Sequence, residues 1–307
     1  QVIEVARQLR VEHDFRGYIH LKTIPEASQD LIEDAGRYAD RISINVELPS
    51  QQSLDRLAPE KNLARTQDAM GGIRRRIEED ADRRKTDQKR GRSRKGKDRH
   101  FAPAGQSTQM IVGADDAPDK QLLERADILY GGYRLKRVYY SAFSPIPSAS
   151  PILPLKSPPL VREHRLYQAD WLMRFYGYDV SEILPDTAPN LDLEIDPKLA
   201  WALRHRADFP IDVNRAPREI LLRIPGIGVR SVDRILGIRR WSSLRLDDLR
   251  KLRVSLKKVL PFVITADHQP ARIDLDSERL RQSFAPPPRQ LEFDFPDAAS
   301  SARSGQL

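Results

Sequence analysis

The chain reads as an α/β protein in two parts, a partial parallel (β/α) barrel followed by an all-α region built around a glycine hairpin. Three observations predict this. In residues 1–143, segments of alternating apolar and polar residues are separated by helical segments, the pattern of parallel βαβ units. In residues 197–265, apolar residues recur at helical spacing on both sides of Pro225-Gly226-Ile227-Gly228. Charge divides the chain of 307 residues along similar lines. Of a net +8, residues 197–265 carry sixteen Lys/Arg against six Asp/Glu and residues 74–99 carry thirteen against six, which leaves the remainder at −9.

A helix opens the chain, with Val2, Ile3, Val5, Ala6 and Leu9 on its apolar side. Gly17 to Thr23 alternates as a strand, Ile19 and Leu21 opposite Tyr18, His20 and Lys22. Pro25 and Ser28 start a helix carrying Leu31, Ile32, Ala35 and Tyr38. Arg41 to Leu48 alternates again, Ile42, Ile44, Val46 and Leu48 opposite Ser43, Asn45 and Glu47. A third strand is predicted over Gln106–Gly113, a helix over Asp119–Tyr130 and a fourth strand over Leu135–Phe143. In a barrel the apolar face packs on outer helices, and polar groups on the lumen face are costly unless they serve a site. An antiparallel sheet with one wet face fits the alternation equally well but explains the intervening helices poorly. Four strands do not close a barrel, and the opening helix lacks a strand before it, so the front of the barrel is expected to be missing from this sequence.

Between the second and third strands, residues 74–104 form a basic insertion with few apolar residues after Ile77, and Lys89 to Lys97 reads as solvated and flexible. It serves either as an extra nucleic-acid arm or as a soluble insertion. Residues 144–196 comprise a proline- and serine-rich linker, Ser144–Pro159, and a connecting helix, Val161–Tyr176, ended by Gly177. Trp171 and Trp201 read as core anchors rather than base-stacking platforms.

The hairpin is the most informative segment. Ile220, Leu221 and Ile224 precede it after Pro217, and Val229, Val232, Ile235, Leu236 and Ile238 follow it. The two glycines are expected to supply positive φ and to let a partner approach the backbone. Outward N–H groups and the positive end of the next helix make a phosphate-binding surface, flanked by Arg223, Arg230 and Arg234. An ordinary αα-hairpin is the plainer alternative. Leu244, Leu246, Leu249, Leu252, Leu256 and Val259 are spaced as a second helical pair, whose link Arg253-Val254-Ser255 lacks glycine and is expected to pack rather than grip.

Composition narrows the chemistry. No cysteine is present, which excludes disulfides, thiolate ligands and a cysteine nucleophile in this chain. Six histidines show no metal-ligand spacing. Neither a signal peptide nor an apolar run of membrane-spanning length is found, so no membrane partner and a cytoplasmic location are expected. The tail, 266–307, is polar and proline-rich and is predicted to be disordered.

Leu222-Arg223-Ile224-Pro225-Gly226-Ile227-Gly228-Val229-Arg230-Ser231, with the lead-in Asp212-Val213-Asn214-Arg215-Ala216-Pro217, resembles the helix-hairpin-helix family. That resemblance implies sequence-independent contact with DNA phosphates by Arg223, Gly226, Ile227, Gly228, Arg230, Ser231 and Arg234. Helix-hairpin-helix glycosylases carry a lysine just after the hairpin; Arg230 stands there, and a permanently charged guanidinium forms no Schiff base.

Phe15 to Lys22, Arg41 to Pro49, Gly105 to Gly113 and Leu135 to Pro145 resemble the second half of a radical S-adenosylmethionine (SAM) barrel. More narrowly, the chain resembles radical SAM proteins of DNA modification or repair with a helix-hairpin-helix tail, over residues 1–265. Gln109 to Asp116 is similar to that superfamily's GxIxGxxE strand, with Gln109 in place of the first glycine and Asp116 in place of the glutamate. The resemblance implies SAM contacts from Ser43, Asn45, Glu47, Gln109, Ile111, Gly113 and Asp116, and a [4Fe-4S] cluster held by a CxxxCxxC loop. That loop is absent, so the chain is expected to be either an N-terminally truncated radical SAM enzyme or a cofactor-free descendant. A non-enzymatic DNA-binding or scaffold protein is the alternative. In the tail, Gln290-Leu291-Glu292-Phe293-Asp294-Phe295 resembles the motif by which bacterial repair proteins bind the replication sliding clamp; a chance apolar cluster, or a strand laid back on the protein itself, is the other possibility.

Overall fold

Four short strands, each followed by helix, place one polar sheet face where a site can form. The computed structural model describes residues 1–89, 99–145, 152–271, 275 and 278–285. Helix α1 (Val2–Val11) packs on α2 (Gln29–Tyr38), whose N-cap Ser28 accepts from the Leu31 N–H. Strands β1 (His20–Lys22), β2 (Arg41–Ser43), β3 (Gln106–Val112) and β4 (Arg137–Ala142) lie in the order β1-β2-β3-β4 and all pair in parallel. The registers His20↔Arg41, Ser43↔Ser107 and Gln109↔Tyr139 fix which residues share a face. Parallel pairing removes the antiparallel alternative. The sheet is open among the described residues.

Parallel strands in sequential order are joined by crossovers of one usual hand, which puts the connecting helices on one face of the sheet. That face is mostly apolar: Leu21, Ile42, Ile44, Met110, Val112, Val138 and Tyr140 are buried, and the two buried polar residues among them are satisfied, Gln106 by donating to the Met70 and Tyr133 carbonyls and Thr108 by accepting from the Val46 N–H. The β2 ladder ends at Ser43, earlier than the alternation predicts, and the chain rejoins β3 through a Glu47↔Met110 bridge after Glu47 turns to φ +66°.

The far edge of β4 is closed by side chains rather than by another strand. Its outward N–H groups at Val138, Tyr140 and Ala142 donate to the Tyr130 hydroxyl (3.0 Å), the Tyr167 hydroxyl (3.0 Å) and the Glu163 carboxylate (3.0 Å). The Tyr167 hydroxyl in turn donates to the Tyr140 carbonyl at 3.0 Å. Tyr130 belongs to α5 (Asp119–Tyr133), and Glu163 and Tyr167 to α6 (Leu160–Tyr176). Satisfied in this way, the edge offers no template for a further strand.

The basic insertion is corrected in part. After α3 (Gln51–Leu57), helix α4 runs unbroken from Leu63 to Lys89. Two features hold its charged half. Charges three and four residues apart pair along the helix, Arg74 with Glu78 and Arg76 with Glu79. Asp80 is buried and accepts from Arg83, Arg84 and the Phe101 N–H, which ties the returning chain onto the helix. Gly36 leaves room for the Phe101 ring; a Cβ there would stand 2.0 Å from it. Residues 90–98, where most of the solvated run falls, lie outside the described residues.

Helix α6 ends at Gly177 in the left-handed region, as predicted. Beyond it, α7 (Val180–Ile183) leads to a segment docked on α5, where buried Asp119 binds Arg162 and the Leu191 N–H. Tyr178, Ile183, Leu184, Leu191 and Ile195 carry one continuous buried cluster from the sheet into the C-terminal region.

That region is not purely helical. Between α8 (Pro197–Arg204) and α9 (Arg218–Leu221) lies β5 (Ile211–Asp212), which pairs in parallel with β6 (Val263–Ile264). Burial of Ile211 and Val263 draws the two ends of the helical unit together. Helices α10 (Val229–Ile238), α11 (Leu246–Lys251) and α12 (Leu256–Val259) lie between them, and α13 (Glu278–Phe284) follows. Asn214, in the predicted lead-in, works as a clamp: its side chain accepts from the Leu244 N–H (2.7 Å) and donates to the Leu244 carbonyl (3.2 Å).

Candidate nucleic-acid interface and the polar sheet face

Leu221, Leu222, Ile224 and Ile227 sink into the core and pull the chain between α9 and α10 into a tight hairpin. Gly226 turns at φ +81°, and a Cβ on it would stand 3.0 Å from Lys258 Cβ and 3.2 Å from Val259 Cγ1. Gly228 differs from expectation: it caps α10 at φ −100°, ψ 167°, which any residue adopts. Its small size matters because the Tyr176 hydroxyl lies 3.3 Å from where a Cβ would be. So one glycine supplies the turn and the other the close approach.

The cradle consists of backbone donors. Pro225 has no N–H, and Ile227 donates to the Ile224 carbonyl at 3.2 Å. The N–H groups of Gly226, Gly228, Val229, Arg230 and Ser231 have no partner among the described residues, and Gly228 offers no side chain to cap the helix. Five donors at the positive end of a ten-residue helix favour an anion. Arg230 and Arg234, one turn apart, are exposed and form no ion pair among the described residues.

Two predicted contacts are placed differently. Ile227 gives its side chain to the core. Arg223 is turned inward. It donates to the Gly177 carbonyl (3.1 Å) and Glu182 (3.2 Å), and its guanidinium lies 3.8 Å from the centre of the Tyr178 ring. Its role is to brace the hairpin from below, since a side chain so engaged is not free for phosphate. Beneath the hairpin also lies Lys198, which the sequence reading missed. Its ammonium donates to the Ile227 carbonyl at 2.6 Å and faces the Tyr176 ring at 4.7 Å. Burial pushes Lys198 down to about 7, which Asp196 opposes and Arg223 reinforces. Nothing local marks it; only its place in a helix of otherwise apolar inward residues hints at burial.

The second helical pair keeps the backbone path without glycine. Arg253 itself takes φ +60°, Val254 is buried and Ser255 caps α12. The Asp247 and Asp248 carboxylates serve α11, Asp247 pairing with Lys251 at 2.7 Å and Asp248 accepting from the Arg245 N–H at 2.9 Å. Trp201 is a core anchor stacked on His205, whereas Trp171, also expected in the core, is 53% exposed on α6.

The polar sheet face gathers part of the predicted cofactor set. Ser43 and Asn45 are buried, and the Asn45 amide donates to Gln109 Oε1 at 3.2 Å. Ile111 continues that face along β3. Glu47 is held by Lys61 (3.4 Å) and Lys22 (3.7 Å). Ser107 Oγ and Arg41 Nε, on the same face, are buried with no partner among the described residues. Gly113 is covered by Pro158, whose Cγ would lie 2.8 Å from a Cβ there, and Asp116 stands exposed in the loop. These two do not join the cluster.

No group of His, Asp or Glu among the described residues is arranged to hold a metal ion, and no helix among them is long and apolar enough to cross a membrane. No protein-family model, curated protein or solved structure matches the chain.

Proposed function

We propose that the chain binds nucleic acid, DNA in the first instance, by its phosphate backbone and without sequence preference, at the Gly226–Ser231 hairpin. The observation that carries this is the run of five N–H groups within Gly226–Ser231 and two arginines, Arg230 and Arg234, all unpaired among the described residues, in a region of net charge +10. Binding of two unrelated duplexes across a salt series tests it. Equal affinities that fall steeply with salt are expected; salt-independent or absent binding refutes it.

The wider proposal is that this is the DNA-binding portion of a radical SAM enzyme of DNA modification or repair. The sequential parallel sheet with a polar, partly unsatisfied face supports the barrel portion. The residues present do not fit a [4Fe-4S] cluster, because the chain contains no thiolate to ligate iron. SAM fits better. The Gln109 amide N–H, the Asn45 carbonyl oxygen and Ser107 Oγ offer unused polar capacity on the sheet face, able to hold hydroxyl or adenine groups. Calorimetric titration of the chain with SAM, beside its Asn45→Ala variant, tests this. Without a cofactor the same hairpin serves a non-enzymatic DNA-binding or scaffold protein. A sliding-clamp contact through Gln290–Phe295 is proposed on sequence alone, since it lies outside the described residues.

A further inference from the structure

Beside the hairpin lies a cavity of about 630 Å³ that a phosphate grip does not use. Its size falls within the range of about 300–1,000 Å³ usual for sites that enclose a small group. The Gly226–Gly228 backbone forms one wall, Trp171, Leu172 and Tyr176 of α6 another, and Gln168 and Lys198 contribute polar groups, while the two carboxylates on the lining, Glu194 and Asp196, are paired with Arg281 (2.7 Å) and Lys258 (3.8 Å). The wall is unevenly satisfied. Trp171 has one ring partner among the described residues, Phe175 at 4.4 Å, and is otherwise open. The Tyr176 hydroxyl has no hydrogen bond among the described residues, and the Gln168 amide has a donor to spare because only its oxygen is engaged, by Arg165 at 2.9 Å. Arg165 Nε is itself buried without a partner among those residues. An open indole, unengaged neutral donors and a phosphate cradle sharing one wall match the face of a base, its polar edge and the phosphate of one nucleotide.

We propose that this cavity receives a single nucleotide turned out of the strand whose phosphate the hairpin holds, its base stacked on Trp171. The inference rests on the phosphate grip and adds a preference for unpaired over paired nucleotides. The indole covers one face of the base, and Gln168 and Tyr176 meet its polar edge without demanding one base identity.

The test compares two duplexes of one sequence, continuous or with one unpaired nucleotide, binding to the full chain and to Trp171→Ala and Trp171→Phe. The wild type should bind the bulged duplex about tenfold tighter, the scale of one base–aromatic stack. Trp171→Ala should erase that preference and leave continuous-duplex affinity unchanged, and Trp171→Phe should retain most of it. Equal affinity for both duplexes, or a preference that survives Trp171→Ala, overturns the nucleotide pocket alone. Failure to bind either duplex overturns the phosphate grip and the pocket with it.

Discussion

Val229→Pro isolates the backbone donors from the charges around them. Val229 is the first residue of α10, where a proline is well tolerated because the N–H it removes has no helical partner. The preceding Gly228, at φ −100° and ψ 167°, already has the extended conformation that a following proline requires. Folding stability should therefore change by no more than about 1 kcal/mol, the stiffer unfolded chain offsetting the lost valine packing. Binding should change more. A hydrogen bond to a charged group contributes about 1.5–3 kcal/mol, so losing one N–H to a phosphate should weaken duplex affinity about 10- to 100-fold. Fluorescence anisotropy across a salt series separates the mechanisms. Val229→Pro removes no cation, so its plot of log affinity against log salt should run parallel to wild type. Arg230→Gln with Arg234→Gln should instead flatten the slope by about 0.9 for each phosphate no longer neutralised. A correctly folded Val229→Pro chain with wild-type affinity would falsify the proposal that these N–H groups hold phosphate.

Gly226→Ala should destabilise the fold by about 2 kcal/mol or more, from positive φ and two short contacts, while Gly228→Ala should cost about 1 kcal/mol at most; urea midpoints rank them. Lys198 loses its proton near pH 7 in the folded chain and near its ordinary, higher value when unfolded, so above pH 7 the unfolded chain holds more protons and stability rises with pH. Compared with Lys198→Met, the wild type should gain about 2–3 kcal/mol between pH 7 and 9, and parallel pH profiles would remove Lys198 as the cause. Tyr167→Phe leaves the Tyr140 N–H and C=O unpartnered at the sheet edge, which should cost about 1–3 kcal/mol and speed exchange of the Tyr140 amide; unchanged protection there refutes the edge-sealing role.

What was legible in the sequence was local. Alternation at Ile42, Ile44 and Val46 marks a strand because its period is set by the backbone, and Pro225-Gly226-Ile227-Gly228 marks a turn because few other residues allow it. What was missed depends on partners distant in sequence. Residues 74–89 look solvated by composition, yet Phe101 returning onto Asp80 makes them part of the fold. Arg223 looks like a phosphate ligand until Tyr178 and Glu182 take it inward, and Gly228 looks like a turn residue until Tyr176 explains it. The two-residue β5–β6 ladder is too short to leave any periodic trace.

The same sorting bounds the electrostatics of the hairpin region. Its sixteen cations do not form one coat. Lys198, Arg204, Arg206, Arg223 and Arg239 turn onto backbone carbonyls, and Arg215, Arg218, Lys251 and Lys258 meet carboxylates. With those nine so engaged, seven are left to displace counterions, for a salt slope of about −6, against about −2 if Arg230 and Arg234 act alone. Net charge by itself would suggest a steeper dependence than those seven cations deliver. A slope near −2 places the whole electrostatic grip on the first hairpin; one nearer −6 requires that Arg250, Arg253 and Lys257 of the second helical pair also reach phosphate, against the expectation that this pair only packs.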